Sequence, residues 1–403
     1  MHPHHIGGNK AKGLRHLYII VEAEATEGER GFTWRFYPES TDSPRQLNAI
    51  LKKSKNHFKK DYISNPASQL YERNGLNYCW QPLLAGGGTA TVWKEIRKGN
   101  KSVLVISNTH SFPETDALKK AETALANLQT ADISLLRQAH RDWWHNYYPQ
   151  SFISLPDKKI ENFYWAQMYK LASATRVGGG LLDNSGPWQV LTPWPNTWWN
   201  LNVQLSYWPV YASNRLELGM PVVDAINNNF ENLINNVPEA YRKDAAALPV
   251  ATDFNLVGVD VRVPGSKPFA QVGNLPWLCH NLWLQYRYSM DESILRNTVY
   301  PTLRRAINFY LPFLEEDGQG ILHLKETYSP EYGNAKDCNY DLALLRWGCL
   351  TLLEACRILS INDELCPTWQ HIADKLTDYP QNEDGMMIGK DVPYNRLHRH
   401  FSH

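Results

Sequence analysis

The apolar positions change period part-way along the chain. HLYIIVEAEA, GFTWRF, TATVWKEI and KSVLVISNTHSF are β-branched and aromatic, and glycine-rich breaks such as AGGGT separate the runs. Residues 16–112 therefore read as β-rich. Beyond them Leu118, Ala121, Leu125 and Leu128 recur three and four apart, which predicts a helix from Ala117 to His140. From Asp157, read as a helix cap, the helical period takes over. Ile160, Phe163, Met168 and Leu171 form one face, and Leu218, Val222, Ile226, Phe230 and Leu233 another. LPWLCHNLWLQYRYSM, ESILRNTVYPTLRRAINFYLPFL, DLALLRWGCLTLLEACRIL and LCPTWQHIADKL repeat the pattern. No strand runs alternate with these helices, which disfavours a parallel βαβ sheet. Helical pairs of this kind curl into an α/α barrel. About seven helices are read after Asp157, against about twelve in a closed six-pair barrel. The expectation is a fragment rather than an open helical array. The unusual residues fall in the loops LLDNSGPW, TPWPNTWWN, KETYSPEYGN and LHRHFSH, and polar loops on a rigid scaffold are where sites tend to lie.

Charge narrows the function. Lys+Arg and Asp+Glu both number 41, so the formal net charge is zero, which argues against a nucleic-acid binder. The basic run KKSKNHFKK at 52–60 reads as a solvated helix face. The six cysteines include no CxxC pair and read as scattered free or buried thiols. No run of about 18 apolar residues predicts a membrane span. The N-terminal MHPHHIGGNK has no apolar core like that of a signal peptide. Nucleotide and nucleophile signatures (GxGxxG after a strand, Walker A, GxSxG) are missing, and no cofactor is expected.

Candidate chemistry concentrates in three places. Five of the fifteen tryptophans lie between Trp188 and Trp208. Clustered aromatics are ordinarily core, but Pro193 and Pro195 break the run, and Asn196, Thr197, Asn200 and Asn202 stand between the rings. Indole faces with neutral amides suit a ligand with apolar C–H faces and many hydroxyls, which is a sugar. In extended backbone Asn200 and Asn202 would share a face. They would hold a water molecule or sugar hydroxyls there, or else satisfy their own loop. Second, Glu331 lies between Pro330 and Gly333 in KETYSPEYG. A glycosidase needs a proton donor at the scissile oxygen, and Tyr328 and Tyr332 would desolvate this carboxyl. A loop salt bridge is the alternative, and Glu326 is the rival carboxylate. Asp337 and Asp341 read as residues N-terminal in the next helix, offsetting its dipole. Third, His398, His400 and His403 form H-x-H-x-x-H. That spacing fits a metal or sugar-contacting donors. No Cys or carboxylate ligand lies nearby, so no metal is expected.

WNLNVQLSYWP, YSPEYG and HRHFSH, in this order, resemble glycoside hydrolase family 95, a family of α-L-fucosidases and α-L-galactosidases. The lead-in HRDWWHNYY, SFISLPD and IENFYWAQMYKLASATR is similar to it too, so the likeness runs from about 130 to 403. The resemblance implies a mainly α fold. Residues 1–113 would be the end of an N-terminal β-sandwich, 114–150 a helical linker, and 151–403 the first part of an (α/α)6 barrel. It implies inverting hydrolysis of terminal α-L-fucosyl or α-L-galactosyl residues of an oligosaccharide or polysaccharide. Glu331 would be the general acid, and Asn200 and Asn202 would orient the attacking water. Trp188, Trp198 and Trp199 would shape the sugar subsite, with His398, His400 and His403 close to it. The family often carries a sugar-contacting histidine where this chain has Trp198, so the resemblance does not carry specificity for fucose over to this chain. The family's acidic partner to the asparagines lies beyond the HRHxSH segment. Asparagine cannot accept a proton at neutral pH, so the chain alone is expected to be inactive. A longer parent would be secreted or periplasmic. Two other classes stay open: a non-catalytic glycan-binding protein of this fold, for which Glu331 is dispensable, and a helical interaction scaffold with an apolar groove.

Overall fold

The computed structural model describes residues 18–395 apart from 30, 54–58, 127, 129, 183, 185, 187, 189, 190 and 260, with backbone only at 130 and 131. The described chain forms two compact units. One runs to Phe152 and includes 191–193. The other takes 153–188 and continues from Trp194.

The first unit is an antiparallel sheet of β1 (Tyr18–Glu24), β2 (Gln69–Arg73), β3 (Leu76–Pro82), β4 (Gly88–Lys98) and β5 (Lys101–Ser111), in the order β1-β5-β4-β3-β2. Asn74 and Gly75, both at positive φ, turn β2 into β3 with Arg73 opposite Leu76. Asn-Gly suits this hairpin because both central residues need left-handed backbone. GFTWRF, expected as a strand, is irregular, and Phe36 stacks on Trp93 at 4.7 Å. A short helix α1 (Pro44–Leu51), capped by Ser43, interrupts the β-rich region. It stops before Lys52 and Lys53, so those lysines lie beyond the helix rather than on its face. The single helix expected from Ala117 to His140 is two, α2 (Ala117–Ala126) and α3 (Thr130–Tyr147). α2 lays Ala117, Ala121, Ala124 and Leu125 on Tyr18, Tyr78, Val92 and Val105 of the sheet. Small side chains at helical spacing let its backbone approach closely.

The second unit is helical. Asp157 accepts the Lys159 N–H at 2.8 Å and starts α4 (Lys158–Ala174). Met168 on the expected face is buried, but Ile160 and Phe163 are exposed. There follow α5 (Asn202–Ala212), α6 (Met220–Asn228) and α7 (Phe230–Asn235). Asn229 leaves helical backbone and splits the last two, which the periodicity had merged. α8 (Asn274–Ser289) is buried along most of its length and packs on α5. A single turn, α9 (Glu292–Ile294), leads through wide helical backbone into α10 (Tyr300–Asn308). α11 (Asn339–Leu359) and α12 (Cys366–Lys375) pair, and both α10 and α11 pack on α8.

The strands of this unit are short antiparallel pairs, not a parallel sheet. β6 (Thr197–Trp198) pairs with β7 (Ala251–Thr252), and β8 (Leu314–Glu316) with β9 (Leu322–Leu324). β10 (Thr327–Ser329) pairs with β11 (Gly333–Ala335) just before α11.

Candidate active site

Glu331 sits at the tip of the β10–β11 hairpin. Ser329 pairs with Gly333, and the Tyr332 N–H donates to the Ser329 carbonyl at 3.1 Å. Pro330 presets the first central φ, and Glu331 takes the second at φ +64. This is a type II turn, whose second central position ordinarily goes to glycine. A glutamate held there costs of order 1–3 kcal/mol, and strain of that kind clusters at functional sites. The carboxyl is exposed. Tyr328 and Tyr332 flank the turn without enclosing the side chain, contrary to the expectation. Burial and the Glu331 charge raise the Tyr328 phenol instead. Glu326 forms an ion pair with Lys267 at 3.2 Å, the loop salt bridge considered for this segment.

The hairpin is anchored from beneath. The Tyr328 N–H donates to the Ala270 carbonyl at 3.0 Å. Phe269, at φ +68 and 55% exposed, sets its ring edge-on to Tyr328 at 4.8 Å. Sequence reasoning missed Phe269. Its signal was an aromatic in the turn-rich run PGSKPFA. Asp341, in the first turn of α11, is fully buried and accepts from Thr327 Oγ1 at 2.6 Å and Tyr310 OH at 2.7 Å. Asp337 does not serve the helix. It accepts from the Leu324 N–H at 2.8 Å and pairs with His323 Nδ1 at 2.8 Å.

Burial pushes the Asp341 carboxyl up from 3.8 to about 6, against the hydrogen bonds from Thr327 and Tyr310. The folded state thus binds the proton more tightly than the unfolded chain. The stability this gives is complete below about pH 4 and is lost as pH rises through about 6. The loss is about 3 kcal/mol. Asp341→Asn cannot titrate. The difference in unfolding free energy between wild type and Asp341→Asn, measured by urea titration at pH 4.5 and 7.5, is expected to shift by about 2 kcal/mol against the wild type, because the loss begins near the unfolded-chain value and is already under way at pH 4.5. A pH-independent difference would show that Asp341 does not titrate in this range.

The amide side is built differently from the expectation. The chain turns through 199–201 between β6 and α5. Asn200, 4% exposed, lies in that turn, and Asn202 is the first residue of α5. Leu201 between them has φ −173 and ψ −49, so the two asparagines are not alternate residues of a strand. Trp199 is 0% exposed. Its backbone N–H donates to Val250 at 2.9 Å and its Nε1 to Thr252 Oγ1 at 2.8 Å. Trp199 is therefore core and offers no face to a sugar, because both its surfaces and its one donor are already occupied. Trp188 is 46% exposed, and Trp198 is half-buried. The Trp198 indole N–H is buried with no hydrogen-bond partner among the described residues.

One apolar cluster connects the two halves. Leu201 and Leu205 pack against Trp277, Cys338 and Tyr340. These five lie in or next to the first turns of α5, α8 and α11. The three helices thus start around a common cluster, with Asn200 and Asn202 leading into one and the Glu331 hairpin into another. Clefts of about 260 and 290 Å³ occur elsewhere, one lined by Asn232, Asn236 and Gly258, the other by His323, Asp337 and Lys390. Neither lining includes Glu331, the asparagine pair or the tryptophans. His398, His400 and His403 lie outside the described residues. Among the described residues no three His, Cys, Asp or Glu side chains gather as a metal site.

Residues 155–403 match the family model described as "Glycosyl hydrolase family 95 catalytic domain". The chain is 24% identical to "Alpha-L-fucosidase 2" of Arabidopsis thaliana over 261 residues, which is 60% of this chain and 31% of that protein. It is 26% identical to "Probable alpha-fucosidase A" of Aspergillus niger over 188 residues, 44% of this chain and 23% of that one. The match thus takes in no more than about a third of the length of these relatives. A solved structure, "Putative kojibiose phosphorylase from human microbiome", superposes with a TM-score of 0.63 at 10% identity, covering 93% of this chain and 53% of that one. This likeness concerns the fold alone. With the family match it fits an (α/α)6 barrel for the helical unit.

Proposed function

The chain belongs to glycoside hydrolase family 95, and from that premise we propose that it carries part of the machinery for inverting hydrolysis of terminal α-L-fucosyl or α-L-galactosyl residues. The observation that carries this reading is Glu331 in a turn position that favours glycine. A carboxyl kept at a strained, exposed hairpin tip is placed to meet a ligand. In the reaction, Glu331 protonates the departing glycosidic oxygen, and Asn200 and Asn202 hold the water that attacks the anomeric carbon from the opposite face. Trp188 and Trp198 present indole surface to the sugar, and Phe269 extends the aromatic surface on the acid side. Trp199, bonded to Val250 and Thr252, anchors the turn that follows Trp198. We read residues 1–113 as the end of a β-sandwich, 114–150 as a linker, and 151–403 as part of the barrel. The substrate is the non-reducing end of a glycan, met outside the cytoplasm.

The stereochemical outcome tests this reading. With an aryl α-L-fucoside or α-L-galactoside, proton NMR of the native protein's reaction is expected to show the β-anomer of the free sugar first. First appearance of the α-anomer would rule out inversion. The 403-residue chain by itself is expected to give no turnover above background. It holds the acid and the amides, and family resemblance assigns the base to none of its residues. Robust turnover by the 403-residue chain would mean that one of its own carboxylates serves as base.

A further inference from the structure

The turn that carries Asn200 lacks the usual local support. α5 starts at Leu201 without a side-chain cap, and the φ −173 and ψ −49 of Leu201 belong to no regular element. Gln204 ties this turn down from inside the helix. It is the third residue of α5 and is fully buried. Its Nε2 donates back to the Trp199 carbonyl, which belongs to the peptide unit of Asn200, and also to the Asn274 carbonyl at 3.3 Å. Both amide hydrogens are thus committed. The chemistry fixes the orientation of the amide, because the reverse one would set Oε1 against two carbonyl oxygens.

α8 holds Gln204 in turn. Asn274 is the first residue of α8, and its side chain donates to the Leu248 carbonyl at 3.2 Å and to that of Gln271 at 3.3 Å. Further along α8, Asn281 Nδ2 donates to the Gln204 carbonyl at 2.9 Å. Asn274 and Asn281 are fully buried. On its other side the Trp199 N–H is bound to Val250. The peptide groups before and after Trp199 are therefore both fixed, the first by Val250 and the second by Gln204. A buried amide that gives its two hydrogens to carbonyls of different elements sets the spacing between them. Here it sets where the Asn200 backbone lies relative to α8.

We propose that Gln204 is a positioning residue for glycoside hydrolysis, holding the Trp199–Asn200 peptide so that the Asn200 amide meets the attacking water. This rests on the reading of Asn200 as a water-holding group. Methionine at 204 would fill much the same space with no donor. The Trp199 carbonyl would then be buried without its partner, and the turn would shift to find another. Misplacing a reacting group by about 1 Å costs about 10²-fold in rate. Activated and unactivated substrates both need the water, so the loss is the same on both. That pattern separates Gln204 from the acid, whose loss spares good leaving groups.

The test is a double-mutant cycle in the native protein, with kcat read on aryl and on unactivated α-L-fucosides or α-L-galactosides and folding checked by circular-dichroism melting. Gln204→Met is expected to lose about 10²-fold in kcat on both substrate classes. Asn200→Ala should lose at least as much. The double variant should be no slower than Asn200→Ala, because a group that acts through Asn200 then has nothing left to act on. Gln285→Met is the control. Gln285 is equally buried and donates to the Leu216 carbonyl at 3.0 Å, so it loses a buried amide away from the turn and should keep wild-type kcat. If Gln204→Met does not fold, Gln204→Asn is read in the same way, since it keeps the amide but is one methylene too short to reach Trp199. Wild-type kcat in the folded position-204 variant, a loss confined to unactivated substrates, or losses that multiply in the double variant would overturn the positioning role and leave that of Asn200 intact. So would an equal loss in Gln285→Met. Wild-type kcat in Asn200→Ala would instead remove Asn200 from the reaction, and the role of Gln204 with it.

Discussion

Glu331→Gln in the native protein is expected to lower kcat on unactivated α-L-fucosides or α-L-galactosides by about 10²- to 10⁴-fold, the range a general acid contributes. Aryl glycosides with good leaving groups depart without a proton and should lose far less. The substitution preserves shape, the positive φ and the Pro330 turn, so a difference between the two substrate classes reads protonation rather than folding. Glu331→Gly is the companion variant. It removes the carboxyl and relieves the left-handed backbone, so it should lose activity on the same scale without a lower melting temperature. Equal activity of wild type and Glu331→Gln on both substrate classes would remove Glu331 from the reaction.

Trp199→Ala is expected to destabilise the protein by about 3–5 kcal/mol, the usual cost of deleting a buried tryptophan. Trp199 is among the largest fully buried side chains, and its indole donates to Thr252 across the β6–β7 pair. Trp199→Phe keeps most of the volume and loses the hydrogen bond, so about 1 kcal/mol is expected there. Trp188→Ala, at an exposed ring, should stay within about 0.5 kcal/mol and act on ligand affinity instead. Urea titration followed by circular dichroism measures all three. A Trp199→Ala variant with native stability and weakened sugar binding would restore Trp199 to the ligand surface.

These contrasts show where local pattern informs and where it stops. Asp157 capping α4, the helices of the second unit and the strands β1, β4 and β5 follow from periodicity and cap chemistry, which act within a few residues. Pro330 before Glu331 already marks a turn. The division into α2 and α3 and the break at Asn229 were not legible, because apolar spacing continues across both. The two leading tryptophans, Trp198 and Trp199, are indistinguishable by type and neighbourhood. One turn of backbone leaves the first half-buried and sends the second fully into the core beside Thr252.

The sequence by itself determined the family and the helical character after Asp157, and it singled out Glu331, Asn200 and Asn202 as candidates, since these lie in short contiguous motifs. Tertiary structure alone decided that Glu331 sits in strained backbone and stays exposed, and that Asp341 holds its hairpin from below. It also decided that Asn200 and Asn202 flank a helix start rather than share a strand face. The reason is range. Caps, turns and periods are set by neighbours along the chain, whereas burial, strain and side-chain encounters depend on which distant elements pack together.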